Sequence, residues 1–403
     1  MRSKKISQTL FFSLLGLAPL LLVWGWLSGQ FQAWQQQDLN DGPYIFYQPA
    51  ADQAFTADRN EDPPSPAAGQ NRQLQVQWIC QGQLLQTQQQ LQQPVLPACG
   101  FNQPLQIRPP ATALPAVKFS ASKLAALSDI HGQYGLMLQL LQRHGVVDGQ
   151  LQWQFGSGHL VIAGDVMDRG PQVTEILWFL YQLEQQALQA GGRVHLLLGN
   201  HETMVLRADL RYIHDKYRQV ASLLGRSYQQ LYSADSVLGD WLRSKPVLVQ
   251  INDSVFLHAG LHPDYLALGL SMSAVNEHYR QGLGLSKSLL KQQPVLEFLY
   301  GSIGPLWYRG YFRAKDAIQS PALDQLLQQL QLRRIVVGHT SMDAVYSHWQ
   351  GRVLSLDSSI KNGVGGELLL WQLPGMPADT FMRGTLDGQR LTLTEWQAGP
   401  AQN

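Results

Sequence analysis

From Lys123 onward, apolar residues alternate between two spacings. Short continuous apolar runs occupy Lys123–Leu127, His159–Ala163 and Arg193–Leu198. Between them, residues 133–144 and 171–190 place apolar side chains every three or four positions. The short runs are too brief for helices and read as buried strands, while the longer stretches read as amphipathic helices. Pro171 suits the first turn of the second helix. Strand and helix in alternation predict a sheet that is parallel at first and covered by helices. Residues 203–245 read as a helical lobe that is polar on one face, and 264–300 as a second helical insertion. Paired strands are predicted around Val247–His258, and another strand at Arg334–Val337. Closing strands near 343–348, 352–357 and 366–373 suggest a second sheet.

The chain before Lys118 has a different texture. Leu74-Gln75-Val76-Gln77-Trp78 alternates strictly, so the Gln-rich residues 73–117 read as a small β accessory unit rather than a disordered tract. Pro109, Pro110 and Pro115 mark its boundary. Residues 32–72, with Asp62-Pro63-Pro64-Ser65-Pro66, read as a flexible arm, within which Gly42–Tyr47 is apolar enough to pack on the main domain. Arg2, Lys4 and Lys5 precede an uncharged stretch that is most apolar from Leu10 to Leu27. This is about the lower length for a membrane span, and its Trp24 and Trp26 suit an interfacial belt. Residues 1–31 are therefore expected to be a signal anchor or a cleaved signal peptide. The basic end would stay inside, and the remainder would lie in the periplasm, held at the bacterial inner membrane or released as a soluble product.

Composition adds two constraints. The 30 basic and 29 acidic residues of the 403 give a net charge of +1, which offers no electrostatic footprint for nucleic acid. The two cysteines, Cys80 and Cys99, lie close together in the accessory unit, and an oxidising compartment would let them form one disulfide. Neither precedes a phosphate-cradling loop with an Arg, which removes cysteine-nucleophile phosphatase chemistry.

The predicted strands end on residues that carry chemistry. Asp129-Ile130-His131-Gly132, Gly164-Asp165-Val166-Met167-Asp168-Arg169-Gly170, Gly199-Asn200-His201-Glu202, His258-Ala259-Gly260 and Gly338-His339-Thr340 follow apolar runs in order. Each alone reads as a capping Asp or a buried His; together they supply the carboxylate, amide and imidazole oxygens and nitrogens of a two-metal site. In an extended segment Asp129 and His131 would share a side. Asp165 has two oxygens with which to bridge ions, and Asn200 offers a neutral amide oxygen. His201 follows Asn200 into the same cleft, where Asp168 would hold one ring nitrogen and leave the other to protonate a leaving oxygen. Arg169 offers a fork to phosphate, with Arg309, in Pro305-Leu306-Trp307-Tyr308-Arg309-Gly310, as a second clamp.

These segments resemble the calcineurin-like metallophosphatases, phosphoprotein phosphatase branch, over about Lys123 to Leu373. That pattern is Gly-Asp-x-His-Gly, Gly-Asp-x-x-Asp-Arg-Gly, Gly-Asn-His-Glu and His-Gly-Gly; this chain has Ser128 for the first Gly and Ala259 for a middle one. Ser341 stands where related enzymes with Gly-His-x-His carry a second His. Leu356-Asp357-Ser358-Ser359 stands near the place of the eukaryotic Ser-Ala-Pro-Asn-Tyr segment, which is absent. With the exported N-terminus, these features are most similar to the bacterial Shewanella-like protein phosphatases.

The resemblance implies a four-layer α-β-β-α sandwich over residues 118–375, with strands and a tail at 376–403. It implies one metal held by Asp129, His131 and Asp165, and a second by Asp165, Asn200, His258 and His339. The ions would be divalent or trivalent Mn, Fe or Zn, and a metal-bound hydroxide would attack phosphorus in one step. The substrate would be a small phosphomonoester or a phosphorylated protein, including phosphotyrosine. A diadenosine-polyphosphate or phosphodiester hydrolase shares the early motifs, and a membrane-anchored binding protein with a degenerate site is the non-enzyme alternative. Retention of every candidate ligand weighs against the last.

Overall fold

A computed structural model describes residues 38–48, 72–110, 116–313, 317–376 and 380–396. The expected membrane segment at 1–31 lies outside the described residues, as does most of the expected arm. Among the described residues, no helix is long and apolar enough to cross a membrane.

The first three strands, β1 (Asp41–Tyr47), β2 (Gln73–Cys80) and β3 (Gln83–Gln90), form an antiparallel sheet of their own. The alternation in β2 holds: Leu74, Val76 and Trp78 are buried, and Gln77 is buried with its amide donating to Gln86 at 2.9 Å. Cys80 and Cys99 are joined by a disulfide, with Cα atoms 5.0 Å apart. One expectation needs correcting. Asp41–Tyr47 is a full strand of this sheet, not part of a linker, because its apolar face docks on the main domain. Tyr44 and Phe46 are buried there, and Trp178 donates its indole N–H to the Pro43 carbonyl at 2.8 Å.

The rest of the chain builds two six-stranded sheets. One contains β5 (Leu124–Leu127), β6 (His159–Ile162), β7 (Arg193–Leu196), β13 (Glu367–Trp371), β14 (Phe381–Thr385) and β15 (Arg390–Thr392), in the order β15-β14-β13-β5-β6-β7. The other contains β4 (Lys118–Phe119), β8 (Leu248–Ile251), β9 (Ser254–Leu257), β10 (Arg334–Val337), β11 (Tyr346–His348) and β12 (Val353–Ser355), in the order β11-β12-β10-β9-β8-β4. As expected, β5, β6 and β7 are parallel neighbours. The closing strands do not share one sheet, however. β11 and β12 extend the second, whereas β13 returns to pair antiparallel with β5, Leu369 opposite Ala126. The strands expected at 376–403 continue that first sheet.

Period-two burial defines the layers. Leu124, Ala126, Val161 and Ala163 face Val249, Phe256, Val336 and Leu354 in an apolar layer between the sheets. Ala125, Leu127, Leu160 and Ile162 point outward into the core that includes Met137, Leu140, Leu177 and Leu180. Those residues belong to α1 (Tyr134–Arg143) and α2 (Val173–Gln189). On the opposite side, Ile335 and Val337 share a cluster with Leu323 and Leu326 of α9 (Ser320–Leu330). The result is a helix–sheet–sheet–helix stack. Each fully buried Leu or Val in it stabilises by about 1.5–3 kcal/mol.

Between β7 and β8 the chain forms α3 (Asn200–Leu206), α4 (Asp215–Leu223) and α5 (Val237–Arg243). Between β9 and β10 it forms α6 (Met272–Gly282), α7 (Lys287–Lys291) and α8 (Pro294–Tyr300) before α9. Both helical insertions therefore stand where the sequence places them.

Candidate active site at the carboxyl ends of both sheets

Every candidate ligand leaves the end of a strand. Asp129 follows β5, Asp165 follows β6, and Asn200 opens α3 just beyond β7. His258 follows β9 directly, and His339 follows β10 after Gly338. All are buried. Two glycines permit this convergence. A Cβ on Gly199 would lie 2.2 Å from an Asp165 carboxylate oxygen, and one on Gly338 would lie 2.0 Å from Ser128 Oγ.

The local backbone is not the extended segment expected around Asp129 and His131. Asp129, His131, Asp165, Asp168, Arg169 and His339 all have positive φ, between 47° and 72°. The chain doubles back because neighbouring loops bond to each other: Asp129 N–H donates to Gly164 O at 3.1 Å, and His131 N–H to Asp165 O at 3.0 Å. Left-handed conformations cost non-glycine residues roughly 1–2 kcal/mol each, so they persist only where surrounding contacts impose them. Glu202 supplies such contacts. Its buried carboxylate accepts N–H groups from Asp165 (2.9 Å), Val166 (2.8 Å), Met167 (3.0 Å) and Gly199 (2.7 Å). Burial and the nearby Asp165 charge hold its carboxyl above the usual range, against these bonds. With two N–H groups aimed at each oxygen, the carboxylate is the form that the cradle accommodates.

The side chains form two adjoining clusters that share Asp165. Ligand atoms of His131, Asp165 and His201 lie within 4.8 Å of one another, as do those of Asp165, His258 and His339. Asp165 Oδ2 is 3.6 Å from His131 Nε2 and 3.2 Å from His258 Nε2. Asn200 Oδ1 and His339 Nδ1 lie 2.9 Å and 3.1 Å from His258 Nε2. Asp129 Oδ1 lies 4.0 Å from His131 Nε2. His131 Nδ1 meets the Met167 carbonyl at 2.7 Å and His258 Nδ1 the Ala163 carbonyl at 2.8 Å, which orients each Nε2 toward the cluster.

This donor set fits cations. Among the described residues, Asp129 and Asp165 form ion pairs with histidines alone, so two buried carboxylates lack a permanent positive partner. Burial, reinforced by the charge of Asp357, pushes the Asp129 carboxyl up to about 8. Burial also depresses His131, to about 3, and His339. Asp165 is held well below the carboxylate range; burial opposes this, but His258 and His201 outweigh it. His339 Nε2 is buried without a hydrogen-bond partner in the described residues. Two metal ions would answer each of these demands with the oxygen and nitrogen donors present.

Beside the clusters, His201 Nδ1 lies 2.6 Å from Asp168 Oδ2. Burial lowers the affinity of His201 for a proton, but Asp165 and the Asp168 bond outweigh it and raise its pKa. His201 Nε2 lies 3.8 Å from Asp165 Oδ2, so the ring faces the cluster as well. Arg169 is exposed, with its guanidinium 5.1 Å from the Tyr212 ring centroid. Arg309 donates to the His339 carbonyl at 2.7 Å and to Thr340 Oγ1 at 3.2 Å, bracing the ligand loop. A cavity of about 350 Å³ joins these groups, with Tyr212, Trp307, Ser341 and Lys361 completing its wall. A larger cavity, about 480 Å³, lies away from this chemistry, beside Tyr181, Glu184 and Trp241.

Sequence reasoning assigned no structural role to three of these neighbours. Glu202 was visible only as the last residue of Gly-Asn-His-Glu. Ser128 is more than a departure from Gly: its hydroxyl donates to Asp129 Oδ2 at 2.7 Å. Asp357 is fully buried and accepts from Ser341 at 2.7 Å and from Lys361 at 3.1 Å.

Residues 122–342 match the calcineurin-like phosphoesterase family. The chain belongs to that family. It is accordingly a metal-dependent phosphoester hydrolase. A cold-active protein-tyrosine phosphatase from a psychrophilic Shewanella species is similar in structure, with a TM-score of 0.76 and 39% identity over 88% of this chain and 99% of that one. Shewanella-like protein phosphatase 2 of Arabidopsis thaliana is 26% identical over 55% of this chain and 67% of its own length. A symmetrical bis(5'-nucleosyl)-tetraphosphatase of Vibrio cholerae is 31% identical, but over only 34% of this chain and 45% of its own.

Proposed function

We propose that this phosphatase hydrolyses phosphomonoesters, with phosphotyrosine in proteins as the favoured substrate class. The observation that carries the reading is the buried pair of clusters sharing Asp165, flanked by the His201–Asp168 pair. The 39% identity across nearly the whole length of a protein-tyrosine phosphatase supports the substrate class. The shorter match to a bis(5'-nucleosyl)-tetraphosphatase gives the diadenosine-polyphosphate alternative less support.

Asp129, His131 and Asp165 would hold one ion, and Asp165, Asn200, His258 and His339 the other, with Mn, Fe or Zn suited to the mixed donors. When bound, the ions supply Lewis acidity and lower the pKa of water. Arg169 and Arg309 then orient the phosphoryl group, joined by the Asn200 amide. Asp168 holds the His201 ring, whose Nε2 carries the proton for the leaving oxygen. In this reading His201 is an acid rather than a ligand, because Asp165 and the Asp168 bond favour the protonated ring.

In the same reading, residues 1–31 anchor the enzyme at the periplasmic face of the inner membrane, or are cleaved to leave it soluble there. The catalytic domain begins near Lys118, and its substrates are exported proteins or phosphorylated metabolites. The disulfide between Cys80 and Cys99 is in keeping with that compartment.

Metal analysis combined with a panel of phosphotyrosine, phosphoserine, small monoester and diester substrates tests the proposal. Phosphotyrosine hydrolysis that is lost on chelation and in Asp165→Asn is expected. Preference for diesters, or full activity of Asp165→Asn at unchanged metal content, would refute it.

A further inference from the structure

We infer that the N-terminal strand takes part in positioning the catalytic turn, through Lys216. The turn from Asp165 to Arg169 carries three non-glycine residues at positive φ: Asp165 at 56°, Asp168 at 72° and Arg169 at 65°. A strained turn of this kind needs fixed points on every side. Glu202 fixes its entrance. The Tyr212 carbonyl fixes its last residue, accepting the Arg169 N–H at 2.8 Å. Its exit is fixed at the Pro171 carbonyl, which accepts from Lys216 Nζ at 2.8 Å and from Tyr217 Oη at 2.9 Å.

That third support depends on residues far away in the sequence. The Lys216 ammonium lies 2.9 Å from Asp41 Oδ1, on β1, and 3.3 Å from Glu175 Oε1, on α2. Asp41 is buried and is itself held by the Tyr44 hydroxyl and, at 3.3 Å, by Thr174 Oγ1. Tyr217 Oη in turn accepts the N–H groups of Val173 (2.6 Å) and Thr174 (3.2 Å), at the start of α2. The first turn of α2, the exit of the catalytic turn and the N-terminal strand are therefore fastened at one buried polar knot. Removing charge at Asp41 loosens Lys216, and removing Lys216 leaves Pro171 with one donor. Both changes free Asp168 and Arg169 to relax toward unstrained backbone. Asp41 and Lys216 are positioning residues: they touch neither the metal clusters nor the cavity wall. The first strand of the accessory sheet is therefore also a working part of the phosphatase.

The inference rests on the proposed role of Arg169 as a phosphate clamp, so the experiment separates the two. The full-length, metal-loaded enzyme is compared with Lys216→Met, Lys216→Arg, Asp41→Asn and Arg169→Lys. For each, the inhibition constant of inorganic phosphate, kcat and KM for a series of aryl phosphates, metal content and Tm are measured. Lys216→Met should raise the phosphate inhibition constant about 5–10-fold and steepen the dependence of kcat on leaving-group pKa, since small misplacements at a distance can cost up to about 100-fold. Lys216→Arg should recover most of both, and Asp41→Asn should show the same changes at smaller size. If Lys216→Met does not fold, the near-isosteric Asp41→Asn carries the test alone. A lowered Tm with unchanged phosphate inhibition and leaving-group dependence would reduce the knot to a structural role and overturn the inference. If Arg169→Lys also leaves phosphate inhibition unchanged, the clamp assignment itself is wrong.

Discussion

Glu202 offers a prediction whose size follows from geometry. Its carboxylate is fully buried and accepts four backbone N–H groups, two on each oxygen, at 2.7–3.0 Å. Glu202→Gln keeps the shape but turns one oxygen into an amide donor. Two N–H groups then lose their acceptor, whichever way the amide is placed. Hydrogen bonds to a charged group contribute about 1.5–3 kcal/mol each, so the loss is about 3–6 kcal/mol. At roughly 2 °C per kcal/mol for a chain of this size, Tm should fall by about 6–12 °C. Three of the four donors belong to Asp165, Val166 and Met167, so the metal content of the purified variant should fall as well. Scanning calorimetry of metal-saturated protein, paired with elemental analysis, reads both. A Tm within about 2 °C of the parent, at full metal occupancy, would mean that the cradle does not hold the turn.

Three further outcomes are expected. His201→Ala should lower turnover by roughly 10²–10⁴-fold for alkyl phosphates and much less for aryl phosphates with good leaving groups; equal losses would make His201 a ligand or a structural residue. His159 and His195 are buried with ring nitrogens 3.1 Å apart, and burial depresses them to about 4 and about 3. The unfolded chain therefore binds more protons than the folded one below the ordinary value near 6.5, and stability is lost as pH falls from there toward 4 and 3. His195 contributes at most about 2 kcal/mol of this between pH 6.5 and 5. His195→Leu should flatten the pH dependence of Tm over that interval, and a slope equal to the parent's would refute the assignment. Reducing the Cys80–Cys99 bond should cost about 2–4 kcal/mol, read as a lower Tm, while leaving kcat for an aryl phosphate unchanged, since the bond lies outside the catalytic cavity. A fall in kcat at full folding would contradict that separation.

Most of the candidate ligands are legible because they sit where an apolar run stops, and a buried strand announces its own end in sequence. Asp129, Asp165, Asn200, His258 and His339 could all be placed that way. Their backbone conformation could not. Positive φ at Asp129 and His131 arises from bonds to Gly164 and Asp165, more than thirty residues on, and no local pattern encodes it. The same non-locality hid one strand and the partner of another. Asp41–Tyr47 becomes a strand by pairing with Gln73–Cys80, and Glu367–Trp371 joins the first sheet by pairing with Leu124–Leu127. Alternation shows that a segment is a strand but not which neighbour it takes. Glu202 was quoted as part of a motif, yet its role as a backbone acceptor depends on three N–H groups from another loop.

The return of β13 to β5 also decides where the gene can be cut. The family match ends at residue 342, beyond the last candidate ligand, His339. A fragment trimmed to the matched residues would keep every candidate metal ligand. It would lose Glu367–Trp371, the strand that pairs with the one delivering Asp129, and with it β14 and β15. It would also lose Asp357, Lys361 and the whole N-terminal strand. Expression boundaries drawn from the motifs would yield a complete set of ligands on an exposed sheet edge, and such an edge invites aggregation. For this chain, the shortest piece that can be expected to work runs from Asp41 to Trp396, because Thr394 and Trp396 bond to Ser347 of β11.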